Sequence, residues 1–137
     1  MTSEEVVREF HARQGRFYAG GPIEPVREML TDDVVWHVPG RNPIAGDHSG
    51  IDAVLDYFTR RRALASATFR VNVRAVLASG DLVMQLAGGT AELGGREVAW
   101  ETVGVFTVRD GRIAEGRLVP FDQQLFDEVW SGSAGRA

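Results

Sequence analysis

The stretch TFRVNVRAVL, residues 68–77, decides the fold class, because the hydrophobic pattern of the chain changes there from a helical period to a period of two. Phe69, Val71, Val73, Ala75 and Leu77 alternate with polar residues, which predicts a strand with one face in the core and one in water. Turn signals follow at residues 79–81, 94–95 and 110–111. They delimit further predicted strands over about residues 82–93, 96–108 and 112–121. The second half of the chain therefore predicts an antiparallel meander.

The first half of the chain has the spacing of helices. Apolar residues at helical intervals and a capping-box pattern of Thr2 with Glu5 predict a helix from about Ser3 to Tyr18. A short second helix is predicted from Pro22. Helices gathered first and a meander last favour the α+β class. Three N-terminal helices packed on a strongly curved antiparallel sheet would form a cone-shaped α+β barrel with an internal pocket.

The connection to the third helix reads VVWHVPGRNPIAGDHSG, residues 34–50. Its first five residues predict a short strand that ends at Pro39. Residues 39–49 predict a lid-like loop, and Ser49 with Asp52 predicts the cap of the third helix. The closing segment DQQLFDEVW, residues 122–130, is compatible with a short helix or with a packed tail.

Composition indicates an ordinary globular protein: 137 residues, 44% of them hydrophobic, with a formal net charge of −4. We expect a single domain over residues 1–131 and a flexible tail over residues 132–137. The basic cluster Arg60-Arg61-Arg62 is interpreted as a solvated helix end, so nucleic acid is not expected as a partner. Apolar runs are too short to span a membrane, and the acidic start and the lack of cysteine predict a cytoplasmic protein.

Three stretches, together with this element order, resemble a known superfamily. They are IEPVREMLTDDVVWHVPG (Ile23–Gly40), AGDHSGIDAVLDYF (Ala45–Phe58) and VFTVRDGRIAEGRLV (Val105–Val119). The chain resembles the nuclear-transport-factor-2-like superfamily, and within it the SnoaL-like and ketosteroid-isomerase-like branch. This resemblance implies the cone fold and a homodimer formed through the sheet face. It does not imply one chemistry, because the superfamily contains isomerases, cyclases, dehydratases, epoxide hydrolases and proteins without activity.

Ketosteroid isomerases combine an Asp base with a Tyr and a protonated carboxylic acid that stabilise the oxyanion. By the resemblance, the position of the base is Val38, which cannot accept a proton, and the Tyr falls at or near Gln14. The buried acid corresponds to Glu101, and the Asp-Arg-Asp triad of epoxide hydrolases has no match. Ketosteroid isomerisation itself is therefore not expected.

Three residues are candidates for catalysis: His37, His48 and Glu101. An imidazole titrates near neutral pH and could replace the missing carboxylate, whereas strand alternation turns His37 away from the side of Val38. Each candidate keeps a structural alternative. His37 could be a half-buried histidine hydrogen-bonded to a carbonyl or a carboxylate, His48 a solvent-exposed loop histidine, and Glu101 a surface carboxylate paired with an arginine such as Arg70, Arg74 or Arg117. The enzyme hypothesis requires at least one of them to line a cavity of roughly a few hundred Å³.

The expected ligand contacts are mostly apolar residues of the cone. They are Gln14, Trp36, Val38, Phe58, Met84, Trp100, Phe121 and Asp122, the last of which could instead cap the closing segment. Trp100 and Phe106 could alternatively serve a dimer interface. The third histidine, His11, is interpreted as a boundary residue on its helix. The histidine spacing matches no metal site and no glycine motif forms a phosphate loop, so neither metal nor cofactor is expected.

Three classes of function remain open on this basis. The first is a cofactor-independent isomerase, cyclase or lyase that moves a proton in an apolar pocket and acts on a small apolar or polyketide-like molecule. The second is a binding or accessory module that holds such a molecule without turnover. The third is a purely structural dimer in which side chains fill the cone. The sequence alone does not decide whether the protein is an enzyme.

Overall fold

The computed structural model describes residues 1–65 and 68–131, so the tail expected over residues 132–137 lies outside the described residues. The elements follow in the order α1 (Ser3–Tyr18), α2 (Glu24–Arg27), β1 (Leu30–Val38), β2 (Gly46–Ser49), α3 (Ile51–Leu64), β3 (Arg70–Ser79), β4 (Leu82–Leu93), β5 (Arg96–Arg109), β6 (Arg112–Pro120) and α4 (Gln123–Ser131). The α+β class and the four long strands are confirmed. The predicted helix count is exceeded by one, because the closing segment forms α4.

The capping box of α1 is present in both directions. The backbone N–H of Glu5 donates to Thr2 Oγ1 and that of Thr2 donates to Glu5 Oε1, each at 3.1 Å. The predicted cap of α3 is wrong: its N-cap is Gly50 at φ +91°, without a side-chain hydrogen bond. Ser49 is instead the last residue of β2, where its backbone is committed to the sheet.

The strands form one six-stranded, unclosed sheet in the order β2-β1-β6-β5-β4-β3. Neighbouring strands are antiparallel except β1 and β6, which pair in parallel and depart from the all-antiparallel sheet that was expected. The lid-like loop was also predicted too long, since Gly46–Ser49 pairs with Val35–Val38 as an edge strand. Residues 46–49 form a strand because their backbone pairs with β1. Four polar residues have no hydrophobic period from which a strand could be predicted.

A bulge between Val73 and Ala75 changes which residues of β3 face the core. Val71 and Val73 pack against the core as predicted, but beyond the bulge Val76 is buried and Leu77 is 72% exposed. The extra residue reverses the alternation. The predicted inward direction of Ala75 and Leu77 is therefore wrong.

The concave face of the sheet pairs glycines with aromatic rings. A Cβ at Gly89 would lie 2.5 Å from the ring of Trp100, and one at Gly116 would lie 2.7 Å from the ring of Trp36. Because these strand positions carry no side chain, the rings lie flat on the backbone and the sheet can curve around α1 and α3.

Helix α4 packs against aromatic residues of the core. Its Trp130 is buried, with ring centroids 5.4 Å from Trp100 and 5.6 Å from Phe69. Asp127 Oδ1 accepts hydrogen bonds from the backbone N–H of Arg41 at 3.0 Å and from Asn42 Nδ2 at 2.8 Å. The helix therefore joins the loop after β1 to the core. In the part of the chain described, no helix is long and apolar enough to cross a membrane.

Candidate functional site

A cavity of about 30 Å³ lies inside the cone, between α1, α3 and the concave face of the sheet. It has room for about two water molecules, so side chains fill most of the cone. Its walls combine aromatic rings with buried polar groups: His11, Gln14, Trp36, Arg61, Phe69, Val71, Gln85, Ala87, Gly88, Gly89, Trp100, Thr102, Phe106 and Leu118.

His11 and Gln85 form a polar pair on this wall. The Nε2 atoms of the two side chains lie 2.6 Å apart, and His11 Nδ1 is buried without a partner. The ring of His11 packs edge-on against Phe106, with centroids 5.8 Å apart. Burial, and secondly the charge of Arg61, lowers the pKa of His11 to about 3. The imidazole is therefore neutral at physiological pH. His11 is partly buried, as expected of a boundary residue, and its ring also lines the cavity.

Arg61 projects into the core and is only 8% exposed, so its assignment to a solvated helix end is wrong. One of its terminal nitrogens donates a hydrogen bond to the hydroxyl of Tyr57. Its guanidinium carbon lies 4.4 Å from the ring centroid of Phe69 and 5.5 Å from that of Trp130. Among residues 1–65 and 68–131 no carboxylate lies within ion-pair distance of it. Within the described residues, aromatic faces and the Tyr57 hydroxyl stabilise this charge.

Four residues of the cavity wall carry a buried polar atom without a hydrogen-bond partner. These atoms are His11 Nδ1, Trp36 Nε1, Arg61 Nε and Gln85 Oε1. Buried polar groups in native proteins are nearly always satisfied, and each exception needs an explanation. Several unpartnered polar atoms that surround one cavity are the feature expected of a ligand site.

His37 and Glu101, two of the predicted catalytic residues, lie on the convex face of the sheet. His37 bridges two carboxylates, with its Nδ1 2.7 Å from Asp47 Oδ1 and its Nε2 2.9 Å from Glu115 Oε2. The hydrogen bonds to these carboxylates raise the pKa of His37. Glu101 is exposed and forms an ion pair with Arg74. They line separate open grooves of about 310 Å³ and 440 Å³. Neither residue lines the interior cavity, although the groove of Glu101 shares Gly88, Gly89 and Trp100 with its wall.

His48, the third predicted catalytic residue, also lies away from the cavity. Its Nε2 is 2.9 Å from the carbonyl oxygen of Ile44, and its ring stacks on Tyr57 with centroids 4.7 Å apart. His48 belongs to β2, and its ring packs against Tyr57 of α3. The structure therefore does not bring the three predicted residues together. His37 contacts Asp47 and Glu115, Glu101 contacts Arg74, and His48 contacts Ile44 and Tyr57.

The predicted ligand-contact residues divide into three groups. Gln14, Trp36 and Trp100 line the cavity, as expected. Val38 and Phe58 are buried in the core but do not reach the cavity. Met84, Phe121 and Asp122 lie outside it, and the first two are 45% and 60% exposed.

The physical reasons for the outward residues are local. Gln85 faces inward, so strand alternation turns Met84 outward. Phe121 follows the last residue of β6, and Asp122 Oδ1 accepts a hydrogen bond from the backbone N–H of Leu125 at 3.0 Å, which caps α4. Trp100 and Phe106 are 5% and 1% exposed inside the cone, so the suggested dimer role for them is wrong.

Sequence reasoning missed His11, Arg61 and Gln85, although the last two left a signal. Gln85 alternates with the apolar Val83 and Ala87, which marks a polar residue on an inward face. Arg61 lies three residues after Phe58, on the helix face that the apolar residues define. Within the described residues, no group of His, Cys, Asp and Glu is arranged to hold a metal ion.

The family model for the SnoaL-like domain matches residues 7–116. The chain belongs to the SnoaL-like family. Its fold is that of the nuclear-transport-factor-2-like superfamily, as the resemblance of the sequence predicted. No curated protein matches the sequence.

Solved structures support the same assignment. Bal32a, from a soil-derived mobile gene cassette, is 32% identical, with 94% of this chain and 99% of that chain covered and a TM-score of 0.83. An NTF2-like protein from Burkholderia xenovorans is 21% identical, with 93% and 95% covered and a TM-score of 0.74. A Sinorhizobium meliloti protein to which a polyketide-cyclase function has been ascribed is 20% identical, with 83% and 93% covered and a TM-score of 0.67.

Proposed function

We propose that this SnoaL-like protein takes a small organic molecule into the cone and transforms it without a cofactor, as an isomerase, cyclase or lyase. The observation that carries the proposal is the set of unpartnered polar atoms around the cavity, in an otherwise aromatic interior. The polyketide-cyclase function ascribed to the Sinorhizobium meliloti protein is consistent with a small apolar or polyketide-like substrate. His37 and Glu101 line open grooves of about 310 Å³ and 440 Å³, and His48 stacks on Tyr57. Because none of the three lines the interior cavity, we assign them no part in the step inside the cone.

The proposed step is proton transfer next to a carbonyl group. The C–H bond breaks and its proton passes to Nδ1 of His11, in the tautomer that carries the ring hydrogen on Nε2. The electron pair of that bond forms a carbon–carbon double bond, and the π pair of the carbonyl group moves to its oxygen, which gives an enolate. Arg61 faces the same cavity and stabilises this oxyanion in a site of low dielectric constant. The enolate in turn stabilises the imidazolium, which raises the pKa of His11 during the step. In a β,γ-unsaturated carbonyl compound the anion is a dienolate, and return of the proton to its γ carbon completes an isomerisation.

A non-catalytic binding module is the second candidate. The low pKa of His11 makes the free imidazole a weak base, and no carboxylate of the described residues lines the cavity. The same cone could then hold a molecule without turnover.

An exchange assay separates the two candidates without knowledge of the natural substrate. Phenylacetone in D2O exchanges its α-hydrogens for deuterium through an enolate, and NMR follows the exchange. We expect acceleration by the protein that is lost in His11→Ala and in Arg61→Met and kept in His37→Ala. Binding of the ketone without acceleration would favour the binding module, and absence of both would overturn the proposal.

We also propose that two copies pair through the convex face of the sheet. This face exposes Leu77, Met84 and Phe121 at 72%, 45% and 60%. Met84 pairs in register with Leu77 on one side and with Val105 on the other, so the apolar residues adjoin one another. Light scattering should give a dimer for the native chain and a monomer for Met84→Glu. The matched control is Leu64→Glu, which places the same charge at a 41% exposed residue of α3.

A further inference from the structure

We propose that the ligand of the cone carries a carboxylate, or an equally compact oxyanion, which pairs with Arg61 inside the cavity. The inference rests on the proposed function, because it takes the cone interior as the ligand site. It goes further by assigning the chemical class of the ligand and the group that recognises it.

The first argument is the charge of Arg61. A guanidinium stays protonated in proteins, and a buried charge is costly unless it is paired. Here the only hydrogen-bond acceptor that the described residues supply is the hydroxyl of Tyr57. The aromatic faces of Phe69 and Trp130 compensate for part of the lost hydration, but they bring no negative charge. A ligand carboxylate would supply the missing counter-charge.

The second argument is the polarity of the unpartnered atoms. Arg61 Nε–H and Trp36 Nε1–H can only donate hydrogen bonds, and both residues line the cavity. A ligand group must therefore offer at least two acceptors, as a carboxylate does. Because no carboxylate of the described residues lines the cavity, no protein charge there would repel an anion.

The third argument is the size and lining of the space. A cavity of about 30 Å³ matches a group of two oxygen atoms and does not match a whole aromatic molecule. The rings of Trp100 and Trp130, 5.4 Å apart, fill the cone beside it. An aryl carboxylate would place its charged group in the cavity, and its ring would have to displace these side chains. Aromatic walls favour such a flat apolar body.

The test compares benzoate with benzamide, which have the same shape and differ in charge. Binding is followed by two-dimensional 1H–15N NMR of the indole N–H of Trp36 and the Nε–H of Arg61. We expect benzoate to shift both signals and to bind about tenfold more tightly than benzamide, since a charge-assisted hydrogen bond is roughly twice as strong as a neutral one.

Variants locate the effect. Arg61→Met should remove the preference for benzoate, whereas Arg60→Met should keep it, because Arg60 is the neighbouring exposed arginine paired with Asp56. Arg61→Lys keeps the charge and should retain part of the preference. Arg61→Lys also provides the test of the benzoate preference if the Arg61→Met protein does not fold.

Equal binding of benzoate and benzamide, with both shifting the Trp36 signal, would overturn the inference and leave the proposed function standing. Benzoate binding that survives Arg61→Met, or that leaves the Trp36 signal unchanged, would also overturn it. The ketone exchange assay uses a neutral probe, so failure of the proposed function is recognised separately.

Discussion

The contact between Gly116 and Trp36 provides a quantitative test of how the cone is packed. Gly116 lies on the concave face of β6, directly beside Trp36 in the parallel pairing with β1. A Cβ built there would lie 2.7 Å from two ring carbons of Trp36 and 2.8 Å from a third. The substitution Gly116→Ala therefore adds one methyl group where no space exists.

The indole cannot move aside, because three buried rings enclose it. The ring centroids of Phe10, Phe58 and Phe106 lie 5.6, 5.1 and 5.7 Å from that of Trp36. Overpacking a tight core costs about 1–3 kcal/mol. The entropic gain of replacing a strand glycine by alanine offsets roughly 0.5–1 kcal/mol of this. We expect Gly116→Ala to lower the free energy of unfolding by about 1–2 kcal/mol, which lowers the Tm by roughly 3–10 °C for a chain of this length.

Urea denaturation followed by tryptophan fluorescence and by circular dichroism measures this change. The matched control is Gly15→Ala, because Gly15 lies within α1 and a Cβ there meets no atom within 4 Å. This control should raise the free energy of unfolding by about 0.5–1 kcal/mol, since alanine is the better helix former. An unchanged or raised stability of Gly116→Ala would refute the reasoning that the ring lies immovably on the backbone.

Three further predictions follow from polar contacts. Arg61→Met should raise the free energy of unfolding by about 1–2 kcal/mol, because it removes a buried charge that pairs with no carboxylate of the described residues. Calorimetry measures this change, and a decrease in stability of more than roughly 1 kcal/mol would contradict it. The hydrogen bond to Asp47 raises the pKa of His37 above the unfolded value of 6.5. The pair therefore stabilises the fold fully when the pH is below 6.5, and this stabilisation is lost as the pH rises through the raised pKa. The deficit of His37→Gln should therefore be larger at about pH 5.5 than at about pH 8.5 in urea titrations; equal deficits would exclude the pairing. Asp127→Ala should loosen α4, seen as faster amide hydrogen exchange over residues 123–131 with the sheet unchanged.

The local pattern of the sequence determined most of the elements. The capping box at Thr2, the turn glycines and the alternation in β4 and β5 act over a few residues, so the chain carries them without reference to distant contacts. The resemblance to the superfamily followed from this element order and from three stretches, residues 23–40, 45–58 and 105–119. The alternation in β1 also predicted correctly that Trp36 faces the cone and His37 faces away.

The tertiary structure alone decided which residues meet at the cavity. Pairing with β1 made residues 46–49 a strand, and a bulge that local periodicity does not announce turned Leu77 outward. Arg61 appears in the sequence as one of three adjacent arginines, and only the packing of α3 against the cone separates it from its solvated neighbour Arg60. Its charge and the pKa of His11 depend on burial among residues distant in sequence. A sequence shows residue types and spacing, but the chemistry of this site comes from desolvation, which exists only once the cone is formed.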